Sequence, residues 1–312
     1  MTGPSELMIR AGAIIRSGGL VAFPTETVYG LGGNAFSSLA AARIFEVKGR
    51  PASSPLIVHV NSIEMARNLA REWPAAADAL TRAFWPGPLT LVVAKTPQIP
   101  DNVTAGLPTV GLRQPDHPLA LALIDEAGVP IAAPSANLFT GLSPTTAEHV
   151  LKSLGDNVDL ILDGGPTRVG IESTVLSLAG VRPRLLRPGM ISREHIEAIV
   201  GQIDVGHFKT DGGHPSPGLH EKHYSPATPL FLVDGDLLPE RGRGAYLWLT
   251  QPLPASHAQQ MPPDASSYAA VLYDTLHRLD DGSFEWIAIE RPPSWPDWVA
   301  VIDRLERAST RL

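Results

Sequence analysis

The sequence predicts an α/β protein in two domains, and three observations carry that reading. Short apolar runs of strand length alternate with segments of helical apolar spacing along nearly the whole chain, as in a sheet flanked by helices. At 312 residues the chain exceeds what one hydrophobic core ordinarily organises. A stretch with little apolar periodicity, Gly201 to Thr228, divides it; this stretch holds Gly206, Gly212, Gly213, Pro215, Pro217, Gly218, Pro226 and four of the ten histidines. A connection of roughly 25 residues is longer than most internal loops, and such loops are usually functional or flexible. The expected division is a first domain over 1–205, a linker over 206–228 and a second, smaller domain over 229–312. Strands alternating with helices predict a small, mostly parallel sheet.

In chain order, Ile9 to Arg16 has amphipathic helical spacing and stops at Gly18-Gly19. Leu20 to Phe23 is a short apolar run that makes a buried strand, closed by Pro24, which cannot donate to a ladder. Thr25, Glu26, Thr27 and Tyr29 then crowd polar groups into a turn rich in glycine (Gly30, Gly32, Gly33). A strand end that opens into hydroxyls, a carboxylate and close-approach glycines is where α/β proteins place ligands. Ala40 to Val47 reads as a helix stopped by Lys48-Gly49-Arg50-Pro51, and Leu56 to Val60 as a strand. Ser62 caps a helix over 63–69, another helix comes over 75–84, and Trp85-Pro86-Gly87-Pro88 leads stiffly into a strand over 89–94. A strand at 109–113, a helix at 117–127 and a strand at 129–133 come next. Ser143 to Glu148 is a capped helix start. Strands at 159–162, 173–178 and 184–186 precede a helix that Ser192 caps. Beyond the linker, strands are expected at 230–233, 245–249 and 286–289, with helices at 267–279 and 298–308.

Composition narrows the function. No apolar run of about 18 residues is present to span a bilayer, and residues 1–10 lack a cationic, apolar leader, so cytoplasm is the expected compartment and no membrane partner is expected. The chain has no cysteine, which excludes disulfides, thiolate metal sites and cysteine nucleophiles. The net charge of −7 argues against a long basic groove for nucleic acid, though not a local one. Thirty prolines and 28 glycines fall mostly between apolar runs, as loop punctuation.

Among the motifs, Gly30-Leu31-Gly32-Gly33-Asn34-Ala35 matches the dinucleotide pattern but lacks the acidic residue about 20 positions on that would hold a ribose. No P-loop motif occurs. Lys48 and Arg50, two cations around a glycine between a helix end and a proline, make a small anion seat suited to a polyphosphate; the plainer reading is a solvated helix end. Arg113, at a strand end, needs an anion, either a protein carboxylate or a ligand. His59 lies inside an apolar strand, where a satisfied core histidine is the common case. Ser135-Ala136-Asn137 and Ser173-Thr174 place hydroxyls at strand ends without a nucleophile elbow. Arg187-Pro188-Gly189 repeats the cation beside a rigid turn. His220-Glu221-Lys222-His223 misses the H-E-x-x-H zinc pattern by one residue.

Taken together, FPTETVYGLG (23–32), KGRP (48–51), PLIVHV (55–60), WPGPLTLVV (85–93), APSAN (133–137), SPTTAEHV (143–150), ESTV (172–175) and LRPG (186–189) resemble the YrdC-like family. With PGLHEKHYSP (217–226) and a further α/β domain, the chain resembles the long, two-domain form of the threonylcarbamoyl-AMP synthase family. The resemblance implies a YrdC-like concave, twisted mixed sheet with helices, followed by a smaller Rossmann-like parallel α/β domain, the linker lying over the active-site mouth. It implies a nucleotidyltransferase that joins L-threonine, bicarbonate and ATP into threonylcarbamoyl-adenylate, releasing pyrophosphate, for modification of the tRNA adenosine beside the anticodon. Partner proteins that take the product, and a weak tRNA contact, go with it.

By motif, the resemblance implies Lys48 and Arg50 as catalytic holders of the ATP phosphates. Ser54, Thr109, Asn137, Ser143, Thr145, Arg187, His223 and Tyr224 are then nucleotide contacts, and Thr27, His59, Arg113, Ser135 and Ser173 surround threonine. Mg²⁺ is implied by the polyphosphate, bound mainly through phosphate oxygens and not by a protein metal site. Two departures stand out: Ser54 occupies a place where the family often has asparagine, and Leu219-His220 replaces a methionine and a basic residue. The competing expectations are a non-catalytic RNA-binding module and carbamoyl transfer to another acceptor.

Overall fold

The computed structural model describes residues 5–206, 224–234, 238–239 and 241–310. Helix α1 (Glu6–Arg16) leads through β1 (Val21–Phe23) and β2 (Gly30–Asn34) to α2 (Ser38–Lys48), β3 (Ile57–His59), α3 (Ile63–Leu69), α4 (Ala75–Phe84), β4 (Leu89–Ala94) and β5 (Thr109–Arg113). Then come α5 (Pro118–Ala127), β6 (Ile131–Ala133), α6 (Ala147–Leu154), β7 (Leu160–Ile161), β8 (Thr174–Ser177), β9 (Arg184–Arg187), α7 (Arg193–Val200) and β10 (Asp204–Val205). The last part contains β11 (Leu230–Val233), β12 (Gly244–Trp248), β13 (His257–Gln260), α8 (Ala265–Leu279), β14 (Trp286–Glu290) and α9 (Val299–Ala308).

Helix ends obey local chemistry. The Ser37 hydroxyl accepts from the Ala40 amide to start α2, and Gly49, at φ 59°, ends it; a left-handed residue there lets the Arg50 amide reach back to the Phe45 carbonyl. Ser62, Thr146 and Ser192 cap α3, α6 and α7 in the same way.

Ten strands form one sheet, ordered β10-β9-β8-β4-β5-β3-β6-β2-β1-β7, and four form a second, ordered β11-β14-β12-β13. The second is parallel throughout, as expected. The first is large and mixed, the twisted mixed sheet that the resemblance to the YrdC-like family implied. Parallel neighbours need a crossover of about a dozen residues or more. The connections between β1 and β2 and between β8 and β9 are shorter, so those pairs run antiparallel. The Gly30–Asn34 segment is a strand, not a turn. A Cβ on Gly32 would come within 2.7 Å of both Ile131 Cγ2 and Phe23 Cε1, so glycine there serves close packing of neighbouring strands.

Leu20, Tyr29, Ile44, Val58, Leu91 and Leu112 share one buried cluster of the first sheet, and α1 and α5 bury Ile15, Leu123 and Ile124 against Val21 and Phe23 in another. The core of the second sheet is continuous with the first unit: Val28, Leu142 and Ile171 pack with Tyr268, Leu272, Ile287 and Val301. Gly170, at φ 78°, lets α8 come close, since a Cβ there would run into the Ala269 carbonyl and lie 2.6 Å from Ala270 Cα. Val28, Leu142 and Ile171 are chain neighbours of Thr27, Ser143 and Glu172, so the shared core reaches the polar strand ends. Among the described residues no helix is long and apolar enough to cross a membrane.

Candidate active site

Parallel pairing of β3 with β5 sets His59 beside Arg113 in register, so both side chains emerge at one sheet end. The loop after β1 comes to meet them. Thr25 Oγ1 donates to the Val28 carbonyl at 2.7 Å and accepts from the Thr27 and Val28 amides, folding the loop tightly. Thr27 Oγ1 thereby accepts from Arg113 Nη2 at 2.9 Å, and Glu26 Oε2 stands 2.7 Å from the same nitrogen. Arg113 Nε has no partner among the described residues. His59 packs its ring edge-on to Phe23 at 5.7 Å. Burial, and then Arg113, pull its pKa down to about 3, so the imidazole is neutral, with Nδ1 unpartnered among the described residues.

Across the cavity, Arg50 is 7 % exposed. Its Nη2 donates to Ser54 Oγ at 2.6 Å and to the Pro55 carbonyl at 3.2 Å, and its guanidinium lies 5.9 Å from the Phe139 ring centre. Arg187, ending β9, donates from Nε to the Ser173 carbonyl and from Nη2 to Ser173 Oγ, both at 3.1 Å; Ser173 Oγ in turn meets Thr90 Oγ1 at 2.8 Å. Burial depresses Arg50 to about 10, with Arg187 adding to the effect, and burial likewise lowers Arg187. A buried guanidinium whose charge a second guanidinium disfavours gains from an anion beside it.

These groups enclose a cavity of ≈ 50 Å³. Of the residues the sequence proposed, Thr27, Arg50, His59, Arg113, Ser135, Ser173, Arg187 and Tyr224 line it. Tyr224 is buried and sits at φ 61°, closing one side.

The other proposed residues that the structure describes do not reach the lining. Lys48, expected in the phosphate seat, is engaged by the protein: its ammonium donates to the Ser135 carbonyl at 2.6 Å and to the Asn137 carbonyl. It clamps the strand end that carries Ser135, because the left-handed Gly49 turns Arg50 inward while the helix keeps Lys48 on its buried face. Burial and then Arg50 hold its pKa well below the ordinary lysine value. Ser54 is placed against Arg50, orienting it. Asn137 Nδ2 donates to the Leu138 and Gly141 carbonyls, Ser143 donates to Glu172 at 2.5 Å, and Thr145 Oγ1 is 3.3 Å from His149 Nδ1. Thr109 lies at the other end of β5, lining a separate recess with Thr90 and Thr104; Ile57 borders both. His223, with the rest of the His220–His223 motif and Leu219, lies outside the described residues.

Sequence reasoning left out Thr25, Glu26 and Glu172 as site residues, and with them the second domain's Arg304 and Tyr273. Glu26 stood inside a turn already read as polar, and Glu172 directly before Ser173, so proximity to named residues was the available clue. Arg304 carries no local sign, since an arginine on an amphipathic helix reads as exposed; here it is buried.

Residues 13–189 match the Sua5, YciO and YrdC family model, described as telomere recombination. Residues 191–310 match the model described as threonylcarbamoyl-AMP synthase, C-terminal domain. The threonylcarbamoyl-AMP synthase of Bacillus subtilis is 43% identical, covering 96% of this chain and 92% of that one. That of Pyrococcus abyssi is 48% identical over 74% of this chain and 68% of its own. The crystal structure of P. abyssi Sua5 complexed with L-threonine superposes with a TM-score of 0.91 at 38% identity, covering 97% of this chain and 94% of that one.

Proposed function

The chain belongs to the threonylcarbamoyl-AMP synthase family, and from that membership we propose that it joins L-threonine, bicarbonate and ATP into L-threonylcarbamoyl-adenylate, releasing pyrophosphate. The observation that carries this reading is a single cavity with two kinds of buried arginine: Arg113 among the Thr27 and Glu26 oxygens, and Arg50 with Arg187, both held below the ordinary arginine value by burial.

On this reading Arg113, Thr27, His59 and Ser135 hold threonine. The Nε edge of Arg113 takes its carboxylate while Glu26 fixes the guanidinium from the other side. Neutral His59 is able to accept a hydrogen bond through Nδ1 without adding charge beside the threonine ammonium. Arg50 and Arg187 hold the triphosphate, and Ser173 stands between the two groups of residues. A carbamate oxygen attacking the α-phosphorus needs in-line placement and charge neutralisation more than a protein nucleophile, which suits a site of arginines and hydroxyls. Lys48 acts on this chemistry by fixing the Ser135 and Asn137 backbone.

Mg²⁺ fits as a companion of the nucleotide. Glu172 in the cavity lining and Glu26 behind Arg113 are each within 2.7 Å of an arginine, and no cluster of three or more His, Cys, Asp or Glu suited to a metal occurs among the described residues. The ion would rest on phosphate oxygens and water, and it would supply neutralisation of triphosphate charge. The product is passed to proteins that modify tRNA, a cytoplasmic task, with weak tRNA contact.

The experiment is pyrophosphate release with each substrate omitted in turn. Dependence on ATP, threonine and bicarbonate together is expected. Release without threonine, or with another acceptor in its place, would overturn the assignment.

A further inference from the structure

Glu172 lines the same cavity as Arg50 and Arg187, an unfavourable place for a carboxylate if a triphosphate is to bind there. Its charge is answered from the other domain. Arg304 of α9, with no side-chain exposure, brings Nε to 2.7 Å from Glu172 Oε2. Its Nη2 donates to the Glu172 carbonyl at 3.3 Å and the Pro188 carbonyl at 2.9 Å, and Nη1 is 2.6 Å from Asp303. The same guanidinium lies 5.4 Å from the ring centre of Tyr224, which also lines the cavity. Tyr273 of α8 donates to Glu172 Oε2 at 3.2 Å, and Ser143 to Oε1 at 2.5 Å. Burial would push the Glu172 carboxyl up, but Arg304 and then Arg187 outweigh it and hold it below its usual range. A charged, masked carboxylate is the result.

We propose that Arg304 is a nucleotide-positioning residue supplied by the C-terminal domain: it masks Glu172 from the triphosphate and pins the 172 and 188 backbone so that Ser173 and Arg187 face the cavity. The inference rests on the reading that this cavity takes ATP. It gives the second domain a part in the reaction, because the site's charge balance is incomplete without α9. Breaking a buried pair by removing one partner leaves the other charge uncompensated, here next to where phosphates would lie.

The test uses the full-length protein and compares Arg304→Met, Arg304→Lys and Glu172→Gln/Arg304→Met, reading KM for ATP and for threonine separately. Arg304→Met is expected to raise KM for ATP by roughly tenfold or more while moving KM for threonine much less. Arg304→Lys, which keeps the charge, is expected to recover part of the loss. The double variant, with no carboxylate left to mask, is expected to bind ATP better than Arg304→Met alone. Equal rises for both substrates, or a double variant no better than the single one, would mean a purely structural part and would overturn the proposal. Should Arg304→Met not fold, Tyr273→Phe reads the same point: losing one donor to Glu172 is expected to raise KM for ATP a few-fold, and no change counts against the idea. A wild-type protein that releases no pyrophosphate from ATP contradicts the functional reading itself, whereas an active wild type with an indifferent Arg304→Met contradicts only this inference.

Discussion

Arg113 and Arg50 are buried in the same cavity, yet the structure answers their charges differently. Arg113 has a carboxylate, Glu26 Oε2, at 2.7 Å. Among the described residues Arg50 has neutral oxygens within hydrogen-bond reach, the Ser54 hydroxyl and the Ser54 and Pro55 carbonyls, and no ion pair. An arginine already paired with protein carries little surplus charge and orients a ligand through its remaining edge. An arginine left among carbonyls keeps its full charge at the cost of burial, and an incoming polyanion relieves it. On the proposed function, this difference divides the cavity between an amino acid and a nucleotide.

Removing residues 206–312 is expected to have the largest effect. It strips Val28, Leu142 and Ile171 of their partners in the second core and opens the cavity, so activity should fall below detection; full turnover by a 1–205 protein would break the account of a shared core. Next, Arg50→Ala should lower pyrophosphate release by about 100-fold or more with little change in urea midpoint, while Glu26→Gln should act mainly on KM for threonine. If Glu26→Gln instead weakens ATP alone, the two ends have been assigned the wrong way round. Lys48→Met should do the reverse of Arg50→Ala, costing stability of about 2 kcal/mol from two carbonyls left unpaired and acting on turnover only through that loss. Lost ATP binding with an unchanged unfolding midpoint would return Lys48 to the phosphates.

A smaller effect concerns pH. His59 has its pKa depressed from 6.5 to about 3, so the unfolded chain binds more protons than the folded one between these values. Stability is full above pH 6.5 and falls as pH drops through this window, by about 2 kcal/mol at pH 5 from this residue. His277, lowered to about 4 by burial and by His149, acts in the same sense. Thermal midpoints measured from pH 7 to pH 4.5 should decline, and His59→Gln should flatten the decline. An unchanged slope in that variant would place the acid sensitivity elsewhere.

Much of the site is legible in the sequence alone. Strand ends that open into polar clusters bring Thr27, Arg113, Ser135 and Ser173 to one cavity, because local apolar runs fix where a strand stops and which polar residues come after it. What escapes is long-range. Nothing near Lys48 says that its ammonium will meet carbonyls 87 and 89 residues on. The sequence does not decide whether Arg113 meets protein or ligand, and Glu26, 87 residues earlier, supplies the protein anion. The β2 strand hides behind its glycines, which read as a turn until Phe23 and Ile131 are seen pressing against them. The edge strand His257–Gln260 alternates half-buried and exposed residues and has no apolar run to announce it.

The most direct test is a crystal structure with L-threonine and a non-hydrolysable ATP analogue bound together. The threonine carboxylate is expected within hydrogen-bond distance of Arg113 and the triphosphate between Arg50 and Arg187, with Tyr224 displaced or stacked to make room. A triphosphate seated away from both of those arginines, or threonine bound away from Arg113, would contradict this division of the cavity.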